Sequence, residues 1–321
     1  MADDTTPLYS FVGKKVWVSG HAGMVGQSLM CRLAQVDCEI LTVTRGEVDQ
    51  RRQADVEAWM EENRPDAVFI AAATVGGILD NDTRPAEFIY DNLAIEANVI
   101  NAAWKTGVEK LLFLGSACIY PKLAPQPMPE DALLTGPLEE TNQWYAIAKI
   151  AGIMLCQAYR KQYGCDFISA QPINLYGPGD NFDLESSHVI PALMRKAHEA
   201  KQANAADLVV WGTGNPRREF LFVDDLADSL VFLMKNYSGP VQVNLGTGEE
   251  LTIRELAETV ARVVGFEGEL SFDADKPDGT PRKLLDNTRI REMGWSPKTS
   301  LAEGLARTYE WFLENVTESA D

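Results

Sequence analysis

Tyr145 and Lys149 stand four residues apart in Tyr-Ala-Ile-Ala-Lys, which puts a phenol and an ammonium on one face of a helix. Upstream, Gly115-Ser116-Ala117-Cys118-Ile119-Tyr120 closes an apolar run at 110–114 and carries a hydroxyl and a thiol two residues apart. On a strand that spacing turns both toward one face, so Ser116 and Cys118 are expected to share a pocket. A serine that hydrogen-bonds a carbonyl, a tyrosine that protonates its oxygen and a nearby lysine suffice to move a hydride to or from that carbonyl. A phenol ionises at about pH 10 unaided. The Lys149 ammonium is expected to lower that value and to hold the ribose of a nicotinamide cofactor.

Cys118 is then a surplus acid or base. His188, in Ser186-Ser187-His188-Val189-Ile190-Pro191, is one of 3 histidines and precedes a helix. A thiol and an imidazole on opposite sides of a substrate carbon could take and return protons, as inverting a stereocentre beside a ketone requires. A small buried hydrophobe for Cys118 and a satisfied cap residue for His188 are the plainer alternatives. His21 falls in a glycine loop, and His198 is expected to be solvated on the polar side of its helix.

The elements that must position these groups follow an alternating pattern. Short β-rich runs at 16–19, 39–44, 67–73, 110–115 and 167–171 are separated by helical stretches at 24–35, 53–63, 86–105 and 144–163. Such alternation argues for a parallel sheet with helices on both faces. After the turn cluster Tyr176-Gly177-Pro178-Gly179-Asp180 the pattern breaks up. A helix at 190–200, a strand at 208–211, further sheet at 219–223 and 241–245, and a helix at 301–315 are expected. The fold class is α/β: a Rossmann-type doubly wound parallel sheet with a smaller, partly interleaved C-terminal α/β substrate lobe. The expected division is residues 1–177 and 217–247 for the dinucleotide-binding domain, and 178–216 and 248–321 for the lobe.

Gly20-His21-Ala22-Gly23-Met24-Val25-Gly26 links the first strand to the first helix. Its glycines permit a tight turn, close approach of backbone N–H groups to a diphosphate, and close helix–strand packing. At the end of the second strand a carboxylate selects NAD and an arginine accommodates the extra phosphate of NADP. Thr44-Arg45 stands there, with Glu47 and Asp49 beyond, so Arg45 favours NADP. Three basic doublets, Arg195-Lys196, Arg217-Arg218 and Arg282-Lys283, fall in the second half with Trp211 and the loop Lys276-Pro277-Asp278. Paired guanidinium forks suit a diphosphate, and an aromatic plane with a carboxylate suits a nucleobase.

A net charge of −18 argues against nucleic acid, whose phosphates are bound by excess Lys and Arg. No apolar run approaches the roughly 20 residues that cross a bilayer, and residues 1–10 lack the pattern of a signal peptide. No membrane partner is expected. The 5 cysteines (31, 38, 118, 156 and 165) show no metal-type pairing and read as reduced thiols in a cytoplasmic protein.

Several motifs together resemble the GDP-L-fucose synthases, extended short-chain dehydrogenase/reductases that act as 3,5-epimerase and 4-reductase. They are Gly20–Gly26, Ala71-Ala-Ala-Thr-Val-Gly-Gly77, Gly115-Ser-Ala-Cys-Ile-Tyr-Pro121, Tyr145-Ala-Ile-Ala-Lys-Ile-Ala-Gly152, Asn174-Leu-Tyr-Gly-Pro178, Ser187-His-Val-Ile-Pro191, Arg218-Glu-Phe-Leu-Phe-Val-Asp-Asp225 and Lys276-Pro-Asp-Gly-Thr-Pro-Arg-Lys-Leu-Leu-Asp286. The resemblance runs from about residue 15 to 315. It implies conversion of GDP-4-dehydro-6-deoxy-D-mannose to GDP-L-fucose with NADPH. Ser116, Tyr145 and Lys149 would form the reductase triad, with Cys118 the epimerisation base and His188 the acid. Cofactor contacts would be Gly20, His21, Ala22, Gly23, Met24, Val25, Gly26, Arg45, Leu114, Gly115, Ser116, Ala117, Lys149, Pro172, Ile173, Asn174, Leu175 and His188. Substrate contacts would be Lys196, Trp211, Arg218 and Asp278. The resemblance also implies a homodimer built on the helix of Tyr145 and the long helix before it. One departure is Ala22, where the family often carries an arginine that helps hold the 2′-phosphate. Two other readings stay open: a UDP-hexose 4-epimerase with tightly bound NAD, against which Cys118 and His188 argue, and an inactive cofactor-sensing protein, against which Tyr145 and Lys149 argue.

Overall fold

In the computed structural model, which describes residues 7–276 and 278–317, strand and helix alternate through the first half. Residues 1–6, Pro277 and residues 318–321, which carry parts of the terminal and loop expectations, lie outside the described residues. The elements are β1 (Lys14–Ser19), α1 (Met24–Leu33), β2 (Cys38–Leu41), α2 (Gln53–Asn63), β3 (Ala67–Ile70), α3 (Ile78–Thr83), α4 (Pro85–Thr106), β4 (Lys110–Leu114), α5 (Gln143–Tyr163) and β5 (Asp166–Pro172). Together with β10 (Val243–Leu245) the strands form a wholly parallel sheet in the order β10-β5-β4-β3-β1-β2. Helices cover both faces, so β3 and β4 are buried at every position and, apart from Lys110, read as continuous apolar runs.

The second and third strands end earlier than their apolar runs, at Leu41 and Ile70. Residues 71–76 leave the sheet to line a cleft at its C-terminal edge. The long α4 buries Phe88, Ile95, Val99, Ile100 and Ala103, an apolar stripe at helical spacing that also takes in Asn92 and Glu96, and ends on a left-handed Gly107. The helix packs against α5, with Phe88 edge-on to the Tyr145 ring.

Beyond β5 come β6 (Asn174–Tyr176), α6 (Val189–Gln202), β7 (Asp207–Trp211), β8 (Arg217–Arg218), β9 (Phe220–Phe222) and α7 (Val223–Asn236). After β10 follow β11 (Leu251–Thr252), α8 (Ile253–Val264), β12 (Glu269–Asp273), β13 (Arg282–Lys283), α9 (Thr288–Glu292) and α10 (Leu301–Phe312). The run expected as sheet at 219–223 shrinks to β9, which pairs with β6 outside the main sheet. Val223 instead opens α7, whose two first-turn aspartates favour a helix N-terminus. A second core gathers α6, α8 and α10 around Phe182, Leu193, Met194, Val260, Leu305 and Phe312. His198 belongs to it: the ring is 7% exposed, packs on Phe312, and its Nδ1 lies 2.9 Å from the Tyr309 hydroxyl. This corrects the solvated placement expected for that histidine.

Candidate active site

The glycine loop leaves β1 and gives α1 its start at Met24, with Gly23 as the cap. A Cβ on Gly26 would land on the Gly20 carbonyl oxygen, so the helix can approach the loop this closely only with glycine there. Gln27 Nε2 donates to the Ala22 carbonyl at 2.8 Å and fixes the turn. The first turn of α1 holds no acidic side chain, which leaves its N–H groups open to an anion. Gly20 to Gly26 line one end of a cleft of about 610 Å³.

Thr44, Arg45, Asp49 and Arg51 line the same cleft. The two carboxylates that could take a ribose hydroxyl are already engaged. Glu47 accepts from the Thr44 N–H and hydroxyl at 3.0 and 2.7 Å, which holds its carboxyl below the usual range. Asp49 is gripped by the Arg51 guanidinium at 2.7 Å, which pushes its carboxyl down to about 2. Arg51 also pairs with Asp91, whereas Arg45 is exposed on the cleft, outside these ion pairs.

At the other end the lining comprises Leu114, Gly115, Ser116, Tyr145, Lys149, Pro172 to Leu175, His188 and Lys283. The strand β4 stops at Leu114, and residues Ala117–Ile119 form a 3-10 turn. Ser116 caps that turn, its Oγ accepting from the Cys118 N–H at 3.4 Å, while its own N–H donates to Gln171 Oε1 at 2.9 Å. The expectation that Ser116 and Cys118 share one face of a strand is therefore wrong. A helical turn, not a pleat, keeps them together. Cys118 is buried outside the cleft lining, near enough to Lys149 and Lys283 to feel their charges and near enough to Tyr145 to act on its phenol. Ala117 is buried too and is the predicted cofactor contact that does not line the cleft.

Gly152, one turn beyond Lys149, rests on the Phe113 ring, where a Cβ would overlap it. This close packing of α5 on β4 sets the Lys149 Nζ 4.7 Å from the Phe113 centroid and 5.7 Å from that of Tyr145. Burial holds the Tyr145 phenol well above its ordinary value, and Cys118 and Glu96 add to this. The lowering expected from Lys149 does not appear. Burial also raises the Cys118 thiol, against the pull of Lys283, and lowers the His188 imidazole, to which Lys283 adds. Both shifts favour the uncharged forms.

The three basic doublets divide in the same way. Arg195 pairs with Glu199, and Arg217 and Arg282 share Glu250. The second members, Lys196, Arg218 and Lys283, are not in those pairs. In the register of β8 with β13, Arg217 lies beside Arg282 and Arg218 beside Lys283. The Arg218 guanidinium donates to the Asp278 carbonyl at 3.2 Å, and the Lys196 ammonium lies over the Trp211 ring. Lys196, Trp211, Arg218 and Asp278 thus cluster outside the cleft lining, with Lys283 linking them to it. Both Asp278 carboxylate oxygens already accept from Thr213, at 2.8 Å each.

Lys283, singled out only as one of a basic doublet, is brought to the cleft by the chain after β13. The buried Glu219 carboxylate accepts from the Leu285 N–H at 2.9 Å, the Gly248 N–H at 2.6 Å and the Asn287 amide at 3.2 Å, which fixes that segment. Around one cleft the chain therefore offers a hydroxyl, a phenol and two ammonium groups, with an imidazole and a buried thiol beside them.

Residues 16–246 match the model of the NAD dependent epimerase/dehydratase family. The chain is 60% identical over 313 residues to a GDP-L-fucose synthase of Sinorhizobium fredii, covering 98% of this chain and all of that protein. It is 54% identical over 312 residues to the GDP-L-fucose synthase of Escherichia coli, covering 94% of this chain and 97% of that one. The crystal structure of a GDP-L-fucose synthetase from Naegleria fowleri bound to NADP superposes with a TM-score of 0.90 at 29% identity, covering 97% of both chains. The chain belongs to the GDP-L-fucose synthase family, within the NAD dependent epimerase/dehydratase enzymes.

Proposed function

We propose that this enzyme inverts C3 and C5 of GDP-4-dehydro-6-deoxy-D-mannose and then reduces C4 with NADPH to give GDP-L-fucose. The observation that carries the reading is the meeting of Ser116, Tyr145 and Lys149 with His188 in one cleft, with Cys118 buried beside them. A simple reductase or 4-epimerase needs only the first three.

NADP(H) fits the cleft on this chain's own features. The Gly26 cradle would be filled by any Cβ, and Arg45 is exposed where a 2′-phosphate would lie. Gly20 to Gly26, Arg45, Leu114 to Ser116, Lys149, Pro172 to Leu175 and His188 would hold the dinucleotide. When bound, NADPH supplies the hydride for C4.

The chain's residues do the rest. Ser116 donates a hydrogen bond to the C4 carbonyl oxygen, which acidifies the protons on C3 and C5 and stabilises the enolate left when one departs. Cys118 takes that proton and His188 returns one to the opposite face. The active pair, thiolate and imidazolium, holds as many protons as the resting thiol and imidazole. Tyr145 then gives its phenolic proton to the C4 oxygen, with the Lys149 ammonium beside it. Burial that keeps the phenol protonated suits a proton donor. Lys196, Trp211, Arg218 and Asp278 would bind the GDP portion.

Two further features go with this reading. Tyr90, Trp104, Trp144, Ile147 and Tyr163 are exposed on α4 and α5, which supports pairing of two copies across these helices. Light scattering of the purified protein tests it, a monomer being the contrary result. The five cysteines are unpaired, as in a reducing cytoplasm, and no helix among the described residues is long and apolar enough to cross a membrane. The function itself is tested by supplying GDP-4-dehydro-6-deoxy-D-mannose and NADPH. Stoichiometric loss of NADPH absorbance with GDP-L-fucose as product is expected. Bound NAD that is returned unchanged would indicate a 4-epimerase instead.

A further inference from the structure

Glu96 is buried directly behind Lys149, and the reaction as described makes no use of it. It projects from the apolar stripe of α4 toward α5, and both side chains are 1% exposed. Glu96 Oε1 lies 3.2 Å from the Lys149 Nζ. The ammonium is therefore held between this carboxylate and the rings of Phe113 and Tyr145. Ionised groups are costly to bury, and a buried pair is seldom more stabilising than apolar side chains of the same size. Stability alone is a poor reason for a carboxylate here. Burial pushes the Glu96 carboxyl up to about 7, against the opposing pull of Lys149 and the Gly152 backbone. The titratable groups that face it, Lys149, Tyr145 and Cys156, all lie on α5, while Cys118 faces Tyr145 from the turn after β4.

We propose that Glu96 is a positioning residue that anchors the Lys149 ammonium against the cleft and keeps the Tyr145 phenol protonated for donation. The inference rests on the assignment of Tyr145 and Lys149 to the reduction. Removing the carboxylate has two effects. The Lys149 ammonium loses the counter-charge that holds it against the cleft, which weakens its grip on NADPH. The Tyr145 phenol loses a nearby negative charge and ionises more readily, which moves the alkaline limb of the reduction rate to lower pH.

The test compares wild type with Glu96→Gln, Glu96→Asp, Lys149→Met and the double variant Glu96→Gln/Lys149→Met. Two readouts are taken: the pH profile of NADPH-dependent reduction and the NADPH dissociation constant from fluorescence titration. Glu96→Gln is expected to lower the alkaline limb by about one pH unit or more. It is also expected to weaken NADPH binding roughly threefold or more in the wild-type background, and not at all once Lys149 is Met. Glu96→Asp, which keeps the charge at shorter reach, should shift both in the same direction but less. An unmoved limb, or an equal loss of NADPH affinity in both backgrounds, overturns the proposal. Should an unpaired ammonium keep Glu96→Gln from folding, Glu96→Asp decides alone, and its matching wild type in both readouts overturns it. Tyr145→Phe separates the two levels: retained reduction there refutes the parent assignment, whatever Glu96 does.

Discussion

The Lys196 ammonium lies 4.6 Å from the centroid of the Trp211 ring, and the Lys276 ammonium lies 5.2 Å from the same ring. Residues from α6, β7 and the loop after β12 thus concentrate positive charge on one half-exposed indole. Arg218 joins them through Asp278. In a protein of net charge −18 such a local cluster is a place for an anion. All of these groups lie outside the cleft that would hold the dinucleotide.

Substitutions in that cluster should therefore affect one ligand only. Trp211→Ala and Lys196→Met are each expected to raise KM for the GDP-sugar roughly tenfold, with kcat changed far less. The NADPH dissociation constant should match wild type. Parallel weakening of both ligands would place the cluster at the cofactor instead.

Arg45 is the exposed cation at the proposed adenosine end, since Arg51 is committed to Asp49 and Asp91. Arg45→Ala is expected to raise KM for NADPH about tenfold or more while leaving KM for NADH nearly unchanged. Ala22 leaves the glycine loop without an arginine to share that contact. Equal effects on the two cofactors would show that Arg45 is only a surface charge.

Burial raises the Cys118 thiol, and Lys283 opposes it. Alkylation of Cys118 by iodoacetamide should be slow at neutral pH and accelerate above the ordinary thiol range. Lys283→Met should slow it further at every pH, because the nearby positive charge that favours thiolate is gone. A rate plateau already reached near pH 7 would mean that the thiol is ionised at rest.

Asp180 lines the cleft with its Oδ2 unpartnered, and burial pushes its carboxyl from an ordinary 3.8 up to about 7. A carboxyl with a raised folded value binds its proton more tightly in the folded state. Its contribution to stability is full below the unfolded value and is lost as pH rises through about 7. Between the two values that loss runs to about 1.4 kcal/mol per pH unit. Asp180→Asn should remove this slope, so that the variant melts above wild type at pH 8 and close to it at pH 4. Glu96 contributes a slope of the same sign and remains in the variant. Parallel melting curves at all pH values would refute the assignment to Asp180.

What could be read in the sequence were the groups whose chemistry is local. Tyr145 and Lys149 are one helical turn apart, the glycine loop is contiguous, and β3 and β4 announce themselves as buried runs. What escaped depends on contacts distant in the chain. Lys283 reaches the cleft only because Glu219, 64 residues earlier, ties down Leu285 and Asn287. The split of each basic doublet was invisible because Glu250 and Glu199 choose which member to bind. Ser116 and Cys118 were placed on a strand by their spacing, whereas the serine's capping of the next turn decides their geometry. Glu96 did leave a signal: a charge in the middle of the apolar stripe of α4.

The central claim is a division of labour, with Cys118 acting on carbon-bound protons and Ser116 with Tyr145 on the ketone. The direct measurement runs the reaction in deuterium oxide with NADPH and examines C3 and C5 of the product by NMR. Wild type should deliver deuterium at both inverted centres, while Cys118→Ser should give slow reduction with both centres unaltered and undeuterated. Deuterium and inverted configuration in the Cys118→Ser product would contradict the account and make the thiol structural.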